Sequence, residues 1–275
     1  MTCRVCGGST EASGWNGATC VSCASISVVT PPSAERLAEC YASYSDYHGG
    51  GRRYGARERQ KKYAITYLSV VKRFAPDNST LLDIGSANNP FPNYAAETGY
   101  RVTVLDYVRP EGLHSAIAFV QGVAVPTERL RERFEVVTAF AMLEHCSDPK
   151  TTSTALASYC RPGGTIVIMT PLVGDFWERH SAAHSCWFFP PEHLHLYSKV
   201  GIAKLFLEVG CKMIYFRRFE ISRLRWFARY GIAAVEGTAG SILRSVAPQL
   251  WCRRRAQKKS ISQQMAVYVF TKVVV

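Results

Sequence analysis

Thr80-Leu81-Leu82-Asp83-Ile84-Gly85-Ser86-Ala87-Asn88-Asn89 passes from a short apolar strand into a turn. Leu81, Leu82 and Ile84 supply the strand, and Gly85 permits close approach of a ligand to the backbone. Downstream, Arg101-Val102-Thr103-Val104-Leu105 reads as a second strand capped by Asp106, 21 residues after Gly85. This is the beginning of a βαβ unit, in which a nucleotide lies at the C-terminal ends of parallel strands. A carboxylate about 20 residues beyond the glycine then binds the ribose hydroxyls.

The same rhythm extends outward. Tyr63, Ile65, Tyr67, Leu68, Val70, Val71 and Phe74 recur at near-helical spacing, predicting a helix from Arg57 to Phe74. Beyond the βαβ unit, Phe134–Phe140 reads as a strand and Lys150–Tyr159 as a helix. Arg161-Pro162-Gly163-Gly164 turns into a strand at Thr165–Met169. A helix from Ser198 to Val209 and strands at Lys212–Phe219 and Met265–Thr271 complete the series. Alternating elements of this kind predict an α/β fold with a parallel sheet and helices on both faces.

The first thirty residues follow another logic. Cys3-Arg4-Val5-Cys6 and Cys20-Val21-Ser22-Cys23 are two C-x-x-C pairs separated by thirteen residues. Two such knuckles can place four thiolates around one Zn²⁺, leaving no coordination position for water, so the expected site is structural. The expected organisation is a zinc ribbon at 1–30, a linker or lid at 31–56 rich in tyrosine and glycine, and the α/β domain at 57–275. The chain has ten cysteines, but disulfide scaffolds are usually short secreted chains. No apolar run approaches the ~20 residues of a membrane span, and the N-terminus opens on Cys3 and Cys6. These features place the chain in the cytoplasm, with a peripheral membrane position left open by the basic segment described below.

LLDIGSANN, VTVLDY, FEVVTAFAMLEHCSDP, YCRPGGTIVIMTP and PPEHLHLYSKVGIAKLFLEVGC resemble the successive motifs of class I S-adenosylmethionine-dependent methyltransferases over residues 79–219. Bacterial glycan and natural-product methyltransferases with an N-terminal zinc ribbon are the most similar group. The resemblance implies a Rossmann-like, seven-stranded, mostly parallel sheet whose last strand is antiparallel, with S-adenosyl-L-methionine as cofactor. It also implies that Asp83 and Gly85 adjoin the methionine part, that Ser86 is cofactor-binding beside them, that Asp106 holds the ribose, and that Phe140, Ala141 and Leu143 line the floor. The chain departs from the family in two places. Its loop is poor in glycine, a role that asparagine can fill in a left-handed conformation. Val123-Ala124 stands where an acidic residue often contacts adenine.

Methyl transfer to a hydroxyl needs positioning and a base. His145, after the Phe134–Phe140 strand, is the leading candidate, with His193 and His195 as the others. The acceptor wall is expected between Pro171 and Tyr197, where His180 and His184 are interleaved with Trp177, Trp187, Phe188 and Phe189. The expected reaction is O-methylation of a sugar or small-metabolite hydroxyl, with ribosomal or transfer RNA methylation as the alternative and a non-catalytic scaffold as a third reading.

Net charge is +12, and Arg217–Lys259 holds eleven Lys or Arg against Glu220 and Glu236 alone. Residues 221–262, which overlap this stretch, read as a basic helical insertion carrying Trp226, Phe227 and Tyr230. Packing, a homodimer interface, an acidic membrane surface and nucleic acid all fit such a segment.

Overall fold

A computed structural model describes residues 1–13, 16–33, 35–37, 56–173, 192–219 and 265–274. The N-terminal strands are β1 (Thr10–Ala12), β2 (Gly17–Cys20) and β3 (Ile26–Val28). Helix α1 (Ala56–Phe74), β4 (Thr80–Ile84), α2 (Phe91–Glu97), β5 (Arg101–Asp106), β6 (Ala118–Gln121) and β7 (Phe134–Phe140) follow. A 3₁₀ turn (Leu143–His145) leads to α3 (Pro149–Tyr159), β8 (Cys160–Pro171), β9 (His195–Leu196), α4 (Lys199–Leu207), β10 (Cys211–Phe219) and β11 (Met265–Lys272).

Strand β7 is buried at every position except Glu135, the pattern of a strand covered on both faces. It lies within a seven-stranded sheet of order β10-β11-β8-β7-β4-β5-β6. The neighbours from β8 to β6 pair in parallel, whereas β11 runs antiparallel to both β8 and β10. This is the Rossmann-like, seven-stranded, mostly parallel sheet expected, with the last strand antiparallel. Ala64, Tyr67, Leu68 and Val71 of α1 pack on one face with Phe91 and Phe140. Leu156 and Tyr159 of α3 and Ile202 and Phe206 of α4 pack on the other.

Helix caps fix the entry of two of these helices. Asp148 accepts the Lys150 N–H before Pro149 at the start of α3, and Ser198 accepts the Gly201 N–H at the start of α4. The buried stripe of α1 differs from the one expected: Tyr63 and Ile65 are exposed, and Ala64 is buried in their place. Helix α2 and strand β6 were not foreseen. Two prolines obscure the seven-residue helix, although proline suits the first turn. β6 is a four-residue edge strand, none of whose residues is buried.

The N-terminal sheet has four strands, in the order β1-β2-β3-β9. Its last strand comes from the α/β domain, so the ribbon is joined to that domain by pairing as well as by the chain. Cys3, Val5, Cys20 and Cys23 are buried in the same apolar cluster as Tyr197 and Ile202. Most of the expected linker, and the whole basic insertion at 221–262, lie outside the described residues. Among the described residues, no helix is long and apolar enough to cross a membrane.

Candidate functional site

The turn after β4 meets the end of β5. The Gly85 N–H donates to the Leu105 carbonyl at 3.0 Å, and the Ala87 N–H donates to Asp106 Oδ2 at 2.9 Å. Asp106 Oδ1 accepts the Tyr107 N–H at 2.7 Å. Burial raises the Asp106 carboxyl, and these amide bonds oppose the rise. Gly85 has φ +71°, and a Cβ there would stand 2.6 Å from Met142 Cγ. Both the conformation and the close approach therefore require glycine. Met142, absent from the expected set, packs over the turn.

Asp83 is fully buried and accepts hydrogen bonds from Ser86 Oγ and Thr138 Oγ1, each at 2.5 Å. Burial pushes its carboxyl up to about 7 against those two bonds. It braces the turn from within the sheet. The left-handed loop residue expected at an asparagine is Ala87, at φ +44°. Asn89 instead accepts the Phe91 N–H at the start of α2.

The three residues expected to line the floor separate. Ala141 is exposed, with φ +52° and its N–H bonded to the Met169 carbonyl. Phe140 turns toward α1 and stacks on Tyr67 at 4.2 Å between ring centroids. Leu143 has no exposed surface and belongs to the opposite core.

His145 lies at the C-terminal end of β7, on the side where open parallel sheets bind ligands. Its Nδ1 is 2.7 Å from the Glu192 carbonyl. A carbonyl oxygen only accepts, so Nδ1 carries a proton, and in the neutral form of the ring Nε2 is the basic nitrogen. The His193 ring stands edge-on to it, 4.6 Å between centroids. The donor groups of Glu144, His145 and His193 all lie within 4.8 Å of one another. Glu144 accepts from Thr170 Oγ1 at 2.9 Å, and burial pushes its carboxyl up to about 7.

His195 has other surroundings. It is fully buried in β9, with Nδ1 2.9 Å from Ser27 Oγ of the ribbon, and burial lowers it to about 3. The expectation that His193 and His195 serve one wall does not hold, since His193 adjoins His145 whereas His195 pairs with Ser27 inside the N-terminal sheet. His180, His184, Trp177, Trp187, Phe188 and Phe189 lie outside the described residues.

At the N-terminus, the Cys3 and Cys23 sulfurs are 3.9 Å apart and those of Cys6 and Cys20 are 3.5 Å apart, all four within 4.8 Å. A disulfide needs about 2.05 Å. Four sulfurs each about 2.3 Å from a common centre stand about 3.8 Å apart, so the donor set fits a tetrahedral ion. Both knuckles close alike: the Gly7 N–H donates to the Cys3 carbonyl and the Ala24 N–H to the Cys20 carbonyl. Gly7 and Ala24 have φ +75° and +57°.

A family profile described as a methyltransferase domain matches residues 56–215, more than half of the chain. The chain belongs to that family, the class I S-adenosylmethionine-dependent methyltransferases. A ubiquinone biosynthesis O-methyltransferase of Aeromonas salmonicida is 32% identical over 100 residues, 33% of this chain and 42% of that protein. The chain thus matches less than half the length of this curated relative. Among solved structures, the Burkholderia thailandensis 1,6-didemethyltoxoflavin-N1-methyltransferase, bound to S-adenosylhomocysteine, superposes with a TM-score of 0.58. It is 15% identical, and the match covers 96% of this chain and 99% of that one. The [4+2]-cyclase SpnF superposes at 0.59 with 16% identity, covering 90% of this chain and 98% of that one. At such identities the likeness is one of methyltransferase fold.

Proposed function

We propose that the chain is an S-adenosylmethionine-dependent O-methyltransferase acting on a hydroxyl of a sugar or related small metabolite. The observation that carries this reading is His145, held by the Glu192 carbonyl in the tautomer that can take a proton on Nε2. When bound, S-adenosylmethionine supplies an electrophilic methyl on a sulfonium. Asp106 offers carboxylate lone pairs to the ribose hydroxyls, and the Gly85 turn admits the cofactor to the backbone. Asp83 and Ser86 brace that turn from below. His145 removes the hydroxyl proton as the oxygen attacks, and His193 adjoins it on the acceptor side.

The O-methyltransferase names of the curated relatives support oxygen as the acceptor atom. Cys3, Cys6, Cys20 and Cys23 would hold Zn²⁺ as a closed structural site, and thiolate ligands suit the reducing cytoplasm. An acidic membrane surface, or a second copy of the chain, is proposed as the partner of the basic insertion. Co-sedimentation with acidic liposomes and the mass in solution test these two partners.

The deciding experiment is calorimetric titration with S-adenosylmethionine, followed by transfer of labelled methyl to a panel of hydroxyl acceptors. One-to-one binding, with transfer to an oxygen that is lost in His145→Ala, is the expected result. Absence of binding by folded, zinc-loaded protein would overturn the reading in favour of a scaffold. Salt-sensitive methylation of RNA would replace the acceptor.

A further inference from the structure

Residues 192–201 are shared between the ribbon and the histidine pair. At one end, the Glu192 carbonyl accepts from His145 Nδ1 at 2.7 Å, and the Leu194 N–H donates to the Glu144 carbonyl at 2.8 Å. In the middle, β9 pairs with β3: the Val28 N–H reaches the Leu194 carbonyl at 3.0 Å, and His195 Nδ1 meets Ser27 Oγ. At the other end, Ser198 Oγ donates to the Cys23 carbonyl and the Ser198 N–H donates to Ser25 Oγ at 3.1 Å. Gly201 is pressed against the same knuckle. A Cβ there would stand 2.1 Å from Ser25 Oγ and 3.3 Å from Cys23 Sγ.

These ribbon partners all come from the second knuckle and the strand that follows it. We propose that the N-terminal four-cysteine site is a positioning device for methyl transfer. With its ion bound, the second knuckle holds residues 192–198 against Glu144 and His145, with Ser27, His195 and Ser198 as the positioning residues. The inference rests on the reading of His145 as the base.

β1, β2 and β3 have only three or four residues each. Sheets this small keep their shape through the metal, because metal binding and folding are coupled. Loss of the ion removes the partner of β9 and releases the Glu192 carbonyl that orients His145. A displacement of about 1 Å at a reacting group lowers turnover on the order of a hundredfold. Among the described residues, no hydrogen bond joins the ribbon to the Gly85–Asn89 turn or to Asp106. Cofactor affinity should therefore survive.

The test compares zinc-loaded and chelator-stripped full-length protein by metal content, amide exchange, S-adenosylmethionine titration, and kcat and KM. Expected on stripping are about tenfold faster exchange at the Leu194 and Ser198 amides, a kcat at least about tenfold lower, and cofactor affinity within about threefold. Unchanged exchange at both amides after stoichiometric metal loss would overturn the proposal. Should stripping unfold the whole chain, Ser27→Ala decides, because it keeps all four thiols. Expected there are full zinc content, a kcat reduced severalfold at constant KM, and recovery in Ser27→Thr; wild-type kcat in Ser27→Ala would overturn the link. Failure of loaded wild-type protein to bind S-adenosylmethionine would sink the O-methyltransferase reading, while the exchange measurement still decides whether ribbon and wall are joined.

Discussion

The two sides of the site are built at different ranges along the chain. The side proposed for the cofactor joins residues 19 to 20 positions apart: Gly85 to Leu105 and Ala87 to Asp106. One βαβ unit supplies both of these bonds, with Thr138 of β7 and Met142 beyond it packed on the turn. The side proposed for the acceptor joins His145 to Glu192, 47 positions away, in a segment that Ser27 and His195, 168 positions apart, tie to the N-terminal sheet. A cradle made within one supersecondary unit forms whenever the sheet forms. A wall made from three distant segments needs each of them docked, so the two sides should be separable by mutation.

The strongest way to break that separation is His145→Ala. Turnover should fall about 10²- to 10⁴-fold, the usual contribution of a general base, with S-adenosylmethionine affinity unchanged by calorimetry. Equal losses in turnover and affinity would show that the sides are not independent. Asp106→Ala is the converse. Removal of charge-assisted bonds worth about 1.5–3 kcal/mol should weaken cofactor binding roughly 10- to 100-fold, and metal analysis should find zinc content intact. Next in size is Gly201→Ala, where the new methyl collides with Ser25 and Ser198. Overpacking of this kind costs about 1–3 kcal/mol, measured by denaturant unfolding, with cofactor affinity retained.

The pH dependence of stability distinguishes the sides by sign. Burial holds His195 neutral, lowered from 6.5 to about 3, so the unfolded chain binds the extra proton. Its contribution is complete above about 6.5 and is lost as pH falls toward 3, by up to about 1.4 kcal/mol per pH unit. Asp83, raised from 3.8 to about 7, binds its proton more tightly when folded, so its contribution is complete below about 4 and is lost as pH rises to 7. Relative to wild type, His195→Gln should gain stability toward acid and Asp83→Asn toward neutral pH; parallel curves would contradict the assignment. The smallest effect is expected for Ala87→Gly. Relief of a left-handed alanine, about 1 kcal/mol less the entropy of glycine, should improve cofactor affinity by less than about fivefold in calorimetry.

The sheet was legible because its strands carry their own evidence: apolar runs such as Leu81-Leu82 and Val136-Val137, turns at Gly85 and Gly163, and Asp106 at the expected interval. The doubled C-x-x-C was legible for the same reason, since ligand spacing within each knuckle is local. What failed was less local. The packed stripe assigned to Tyr63 and Ile65, the floor expected at Leu143, and the grouping of His193 with His195 all depend on which neighbour packs against a residue. Met142 over Gly85 carried no signal in composition or spacing.

By itself the amino-acid order determined the α/β class, the glycine turn after β4 and the four-thiol cluster, because each arises from residues close together in the chain. Only the tertiary structure decided that the ribbon takes its fourth strand from the catalytic domain and that His145 is oriented by Glu192. Those contacts are paired across 47 to 175 positions. Around the first of them Ile26, Val28, Val173, Leu194 and Leu196 bury a common apolar cluster, a quantity that exists only once these distant segments have come together.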